Sequence, residues 1–378
     1  MPRQTPSPVS LRKRILYYSI LFIVLALIAE LLSRAYYYQK LSASRSAALQ
    51  AVKDITRGVR SRFSGDTVFE HLRHTQYRIR PGFPKAENDR VVQENFEANR
   101  AGYVPWVEFA FKDFSGKYLN IDGHSRRSIP DKSDSLATAP LRIFFLGGST
   151  TYGYDVTDEE TIPSFFVREY RRRYPQGRPI RVVNLGMPFY YSYQELMLLT
   201  DRIYRDDKPD MVIMLDGLNE CLQANAAYRR EPVFAPGKVD VMKPGDKQPG
   251  QDDYYGLPAG MTVDSACSLI VRRYVDNISY AHEITGGYSI PIYCFWQPVP
   301  YYNYPNRRND PVCVQTHSER FGYIYPMVKQ KAGQLPWLFY LGDMLQNEKG
   351  LPFIDQLHYS PAFNDSVAKK MISVIHFQ

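Results

Sequence analysis

The chain has 378 residues, 44% of them hydrophobic and 23% charged, a composition that excludes wholesale disorder. A mean hydropathy of −0.38 excludes a protein of many membrane spans. Lys and Arg number 47 against 39 Asp and Glu, and the net charge of +8 favours anionic surfaces such as phospholipid, while no basic run, zinc-finger spacing or RNA-binding signature points to nucleic acid.

Residues 15–32 read ILYYSILFIVLALIAELL, an apolar run with one ionisable residue, Glu30. About 20 residues at a rise of about 1.5 Å span a bilayer core. Arg3, Arg12, Lys13 and Arg14 precede the run and no acid does. The positive-inside rule then places the N-terminus in the cytoplasm and the remainder outside it. The run is longer than the apolar part of a signal peptide and lacks a clear A-x-A site, so an uncleaved anchor is expected. The chain divides into a cytoplasmic tail at 1–14, a transmembrane anchor at 15–35, a stalk and lead-in region at 36–138, and a main domain at 139–378. Outside the cytoplasm, Cys221, Cys267, Cys294 and Cys313 are permitted disulfides, with three full pairings open. Cys294, inside an apolar run, equally suits a buried thiol.

The lead-in region carries scattered aromatics and short β-like pieces such as 118–122. From Leu141 the pattern changes. Apolar runs at 141–146, 180–185, 211–215, 290–296 and 337–341 end in Gly or other turn residues, as strands buried on both faces do. Between them lie helical stripes. Phe166, Tyr170 and Tyr174 form one; Leu196, Leu199 and Ile203 follow a Ser192–Glu195 capping box; Ile270, Tyr274, Ile278 and Ala281 form a third. Ser360-Pro361 predicts the start of a last helix with Val367, Met371 and Ile375 on one face. The alternation predicts a three-layer α/β/α sandwich around a mostly parallel sheet of about five strands. Residues 225–266 interrupt it with Pro, Gly, Asp and Lys, as a surface loop or lid would.

Ligands on parallel sheets bind at the carboxyl ends of the strands. Ser149 follows Gly147-Gly148 after the first run, Gly186 ends the second, Asn219 follows the third, and Asp355 and His358 precede the last helix. A serine hydroxyl needs a base to take its proton; His358 supplies one, with Asp355 to hold its tautomer. The N–H of Ser149, the N–H of Gly186 and the amide of Asn219 would receive an oxyanion. Each residue alone reads as a turn or a cap; the combination at successive strand ends is more specific. Such a set needs no metal and no organic cofactor.

The run from Phe145 to Gly153 (FLGGSTTYG) resembles the first block of the SGNH hydrolases, also called GDSL-type esterases. Asn184-Leu-Gly-Met-Pro188, the stretch 209–220 ending in Gly217-Leu-Asn-Glu220, and Asp355-Gln-Leu-His358 resemble their second, third and fifth blocks. The match covers roughly 141–378 and implies an SGNH/flavodoxin-like fold and a serine esterase. In that resemblance Ser149 is nucleophile and first oxyanion donor, Gly186 and Asn219 complete the oxyanion hole, His358 is the base and Asp355 its partner. GGST replaces GDS, and GLNE replaces the commoner GxND, which marks a subfamily. No G-x-S-x-G nucleophile elbow is present.

The anchor and the segment 118–127 resemble a bacterial membrane-anchored branch. They imply a single-pass protein of the inner membrane with a periplasmic catalytic domain. The expected substrate is an O-acyl ester, O-acetyl above all, on an envelope or secreted polysaccharide. Tyr190-Tyr191, Tyr254-Tyr255, Tyr301-Tyr302 and Tyr304 suit stacking on sugar rings as well as they suit loop packing. An O-acyltransferase, a lysophospholipid-type esterase and a non-catalytic glycan-binding scaffold are the other readings. Protein partners are not legible.

Overall fold

The computed structural model describes Glu30, Arg80 and residues 82–128, 139–222, 261–310 and 319–377. Apart from Glu30, the expected anchor at 15–35 lies outside the described residues. Among the described helices none is long and apolar enough to cross a membrane. Everything below lies in one compact unit, His71–Gln378.

The five apolar runs fold as β6 (Leu141–Gly147), β7 (Ile180–Asn184), β8 (Met211–Asp216), β9 (Ile292–Trp296) and β10 (Leu338–Tyr340). They pair in parallel in the order β10-β9-β8-β6-β7. The sheet does not stop at five strands. Three short lead-in strands, β3 (Phe114–Ser115), β4 (Asn120–Asp122) and β5 (Ser125–Arg126), extend it past β7 in antiparallel register, so the sheet has eight strands and is mixed. The expectation of a mostly parallel sheet of about five strands is corrected to that extent. A separate hairpin joins β1 (Ala101–Val104) to β2 (Glu108–Phe111).

Alternate side chains of β6 enter opposite layers. Ile143 and Phe145 pack with Phe166 and Tyr170 of α3 (Ile162–Arg173) and with Val367 and Met371 of α8 (Pro361–Ile372). Phe144 and Leu146 pack with Leu199 of α4 (Ser192–Tyr204), Ile278 of α6 (Val263–Gly286) and Val328 of α7 (Glu319–Ala332). Helices thus cover both faces, as α/β/α layering requires. Each fully buried side chain of this kind contributes about 1.5–3 kcal/mol.

Caps set the helix starts. Thr161 Oγ1 accepts from Ser164 N at 3.2 Å, and Thr262 Oγ1 accepts from Ser265 N at 3.2 Å. Ser360 caps α8 ahead of Pro361, as expected. The expected Ser192–Glu195 box is not formed. The cap is Tyr191, one residue earlier, whose N–H donates to Gln194 Oε1 at 3.2 Å. Ser192 N instead donates to Glu220 Oε1 at 2.7 Å, and Glu195 is buried under the sheet end. Helix α6 begins inside the stretch 225–266; residues 223–260 are outside the described residues. Cys221, Cys267 and Cys294 are buried free thiols, and Cys313 falls outside the described residues.

The lead-in region also holds α1 (Lys85–Ala98), whose buried Glu94 accepts the backbone N–H groups of Lys117, Tyr118 and Leu119. Burial opposes that charge, but these donors together with Arg90 Nε hold Glu94 below the ordinary carboxylate range. Arg126, 2% exposed, pairs with Asp158 at 3.1 Å and donates to the carbonyls of Tyr152, Gly153 and Val156. Arg126→Ala is expected to destabilise the protein by about 3–5 kcal/mol, because it removes the cationic partner of Asp158 and a buried donor shared by three carbonyls. Denaturant unfolding measures it.

Candidate active site

Strand β6 runs through Gly147-Gly148 into α2 (Ser149–Tyr152), and β8 runs through Gly217 into α5 (Leu218–Leu222). The two turns lie side by side because β6 and β8 are paired. Ser149 opens α2, where the first N–H groups have no acceptor within the helix. Asn219 sits in α5, and its Nδ2 donates to Tyr190 O at 2.6 Å. An amide nitrogen carries two protons, so one remains for a ligand. A Cβ on Gly148 would stand 2.5 Å from Asn219 Nδ2, so only glycine lets the amide approach the serine turn. Ser149 and Asn219 line one small open cleft with Gly148, Tyr190, Gly217 and Gln297. Gln297 is fixed by Thr150, whose Oγ1 donates to Gln297 Oε1 at 2.7 Å.

Asp355 and His358 form the pair expected of them. Asp355 Oδ2 lies 2.5 Å from His358 Nδ1, and Oδ1 accepts the backbone N–H groups of His358 at 2.6 Å and Leu357 at 2.8 Å. The three-residue spacing closes a turn that aims both groups inward. Burial works against each charge, yet their mutual attraction holds the Asp355 carboxyl below its ordinary value and the His358 imidazole above its own. The bond to Asp355 occupies Nδ1 and leaves Nε2 as the nitrogen that can take a proton.

The two halves are joined by the loop after α2. Tyr154 N donates to Ser149 O at 3.0 Å, and the Tyr154 ring stacks on the His358 ring with centroids 4.8 Å apart at 28°. One residue therefore touches both the serine's backbone and the histidine. Ser149 Oγ makes no hydrogen bond to His358 or to any other described residue.

Gly186 is placed differently from Ser149 and Asn219. Its N–H donates to Asn184 Oδ1 at 3.0 Å, and it does not line the cleft. A Cβ there would stand 2.4 Å from Tyr152 N and 2.8 Å from Thr151 C. This glycine lets the end of β7 pack against the backbone of α2. The structure thus places Ser149 and Asn219 in the cleft, pairs Asp355 with His358 beside the loop after α2, and packs Gly186 against α2.

Beneath the cleft lie three buried acids, Glu195, Asp216 and Glu220. Glu220 bridges the N–H groups of Ser192 and Gly217. Burial first, and then repulsion by Asp216 on Glu195 and by Glu220 on Asp216, drives Glu195 and Asp216 well above the carboxylate range. Among the described residues no group of three or more His, Cys, Asp or Glu side chains is arranged to hold a metal ion.

Sequence reasoning missed Tyr154, Asp155 and Gln297. Tyr154 and Asp155 directly follow the first block, and Gln297 follows a predicted strand. Position at strand or block ends was the only signal they gave.

No family model and no curated protein matches the chain. Similar solved structures include a putative lipolytic protein of the G-D-S-L family from Desulfitobacterium hafniense DCB-2, at 14% identity over 62% of this chain and 99% of that one, TM-score 0.36. A lipase/acylhydrolase from Enterococcus faecalis matches at 16% identity over 61% of this chain and 93% of that one, TM-score 0.37. The SGNH-hydrolase family esterase AlinE4 matches at 15% identity over 63% of this chain and 96% of that one, TM-score 0.32. Each is a protein to which this chain is similar.

Proposed function

We propose that the chain is an SGNH-type serine esterase acting on short O-acyl esters, O-acetyl above all, of an envelope or secreted polysaccharide. The observation that carries the chemistry is the meeting of Ser149 and Asn219 in one cleft, tied through Tyr154 to the Asp355–His358 pair. Ser149 Oγ attacks the ester carbonyl while His358 Nε2 takes its proton. The carbonyl oxygen becomes an oxyanion, received by the Ser149 N–H and Asn219 Nδ2. The C–O bond to the sugar breaks, and His358 returns the proton to the leaving hydroxyl. Water then attacks the acyl-enzyme, gives a proton to His358, and the carboxylic acid leaves as Ser149 regains its own.

The small cleft supports a short acyl group. Support for a glycan comes from Tyr103 at 65% and Trp106 at 78% exposure on the β1–β2 hairpin. That hairpin is bound to the cleft wall, since Tyr190 OH donates to Phe109 O. Exposed aromatic faces stack on sugar rings. In this reading the 15–35 segment anchors the enzyme in the inner membrane of a bacterium, with the catalytic domain in the periplasm.

The test is turnover of p-nitrophenyl acetate and octanoate by the purified full chain, with acetate release from an O-acetylated polysaccharide. Acetate is expected to be preferred by about tenfold or more in kcat/KM. A preference for octanoate would favour a lipid ester, and transfer of acetyl to an added glycan in place of release would make the enzyme a transferase. Absence of turnover that depends on Ser149 would overturn the esterase reading.

A further inference from the structure

The loop that links Ser149 to His358 carries a second carboxylate. Asp155 is 7% exposed, and its backbone lies in the left-handed region at φ +59°. Asp and Asn tolerate that region better than most residues, but it is still disfavoured and persists only where the surroundings enforce it. Here they do. Arg126 grips the carbonyls of Tyr152, Gly153 and Val156, on both sides of Asp155. Tyr154 N is bonded to Ser149 O, and Tyr154 OH accepts from Asn99 Nδ2 at 2.8 Å.

These contacts hold Asp155 inward without engaging its carboxylate, which makes no hydrogen bond with the described residues. Its charged neighbours come from three other elements: Asp355 and His358 from the loop before α8, Arg80 from the lead-in region, and Arg126 from β5. Tyr152 and Tyr154 flank it on its own segment. Arg126 is bonded to Asp158 and Arg80 to Glu160, and neither donates a hydrogen bond to Asp155.

We propose that Asp155 is a second carboxylate for the His358 imidazole, a positioning residue whose charge stabilises the imidazolium formed when the base takes the serine's proton. The inference rests on the esterase reading and names a residue outside the expected triad. Two acids then flank one ring in unlike settings. Asp355 accepts three hydrogen bonds and stays ionised. Asp155 accepts none; burial first, and then the Asp355 charge, push it up to about 7 against the pull of His358, Arg80 and Arg126. The sign follows. Below neutrality Asp155 is neutral and gives no help; above it the carboxylate is charged and makes His358 the stronger base.

Asp155→Asn tests this, since asparagine keeps both the shape and the tolerance of the left-handed turn. With the full chain and p-nitrophenyl acetate from pH 5.5 to 9, kcat of the variant is expected to fall about tenfold at pH 8.5, the size of one unit of basicity. KM stays unchanged, the gap closes to less than about twofold at pH 5.5, and the acid limb moves to lower pH. The melting temperature at pH 8 is expected to be no lower than that of the parent. An acid held up by burial gives stability that is present below its unfolded value and lost as pH rises through its folded one. A loss of the same size at every pH, or an unmoved profile, would overturn the proposal.

A second readout needs no turnover: the imidazole titration of His358, followed by NMR, is expected at lower pH in Asp155→Asn. An unchanged titration would overturn the proposal even in an inactive chain. Failure of the esterase reading instead shows as turnover that Ser149→Ala leaves intact, or as none at all.

Discussion

Replacing Ser149 with alanine is expected to lower kcat/KM for p-nitrophenyl acetate by about 10⁴- to 10⁶-fold while leaving the melting temperature nearly unchanged. The rate loss follows from removing the atom that forms the acyl-enzyme. The neutral effect on stability follows from its surroundings. Ser149 is 9% exposed, and its hydroxyl is bonded to no described residue, so its removal strands no buried partner. The Ser149 backbone N–H and the Asn219 amide remain, so a small residual rate from oxyanion stabilisation persists. Parallel thermal melts and initial rates decide it: a variant within tenfold of the parent would remove Ser149 from the nucleophile's role.

Asp355→Asn is expected to have an effect of similar scale by a different route. The carboxylate fixes His358 with its proton on Nδ1, and at 2.5 Å that bond is short. An amide that turns its NH₂ toward Nδ1 forces the other tautomer, with Nε2 protonated and unable to act as base. Such a change costs about 10⁴-fold in kcat in a Ser-His-Asp arrangement. The remaining activity should also titrate differently. The parent needs neutral His358, whose pKa is held above its ordinary value, so activity is lost as pH falls through that raised value. Without the Asp355 charge, burial is opposed by Asp155 alone and the acid limb moves to lower pH. The loss of rate spans the whole pH range. That separates this variant from Asp155→Asn, whose loss grows with pH. A pH–rate profile of each variant against the parent measures both.

The five central strands were legible because each is a run of apolar residues buried on two faces, and β6 to β10 occupy those runs. The stripes on α3, α4 and α6 were legible for the same reason at a helical period. The lead-in elements were not. Strands β3 and β5 have two residues each, too few for any alternation. Helix α1 hides because its buried face carries the polar Asn88, Glu94 and Asn95, of which Glu94 accepts backbone N–H groups of a neighbouring loop. Ser192 and Glu195 had the spacing of a cap, but the buried acid cluster recruited both, which only tertiary packing reveals. At the site, Asp355 and His358 were legible through local spacing. Gly186 was ambiguous, since close packing on α2 and an exposed N–H for an oxyanion ask for the same residue. Asp155 was invisible, because its importance arises from an arginine on a distant strand that clamps the turn around it.

That clamp has a consequence for the order in which the site matures. Strand β5 joins the sheet through Arg126 opposite Asn184 of β7, a strand synthesised later. The serine turn, by contrast, rests largely on β6 and its own helix. Contacts between residues far apart in the chain form late, because closing the intervening loop is entropically costly. The carbonyls that Arg126 grips lie within 30 residues of it, so that clamp closes a short loop, whereas Asp355 and His358 are far from Ser149 in the chain and reach it later. In the proposed esterase, ester-cleaving competence would then arrive only when the segment before α8 docks.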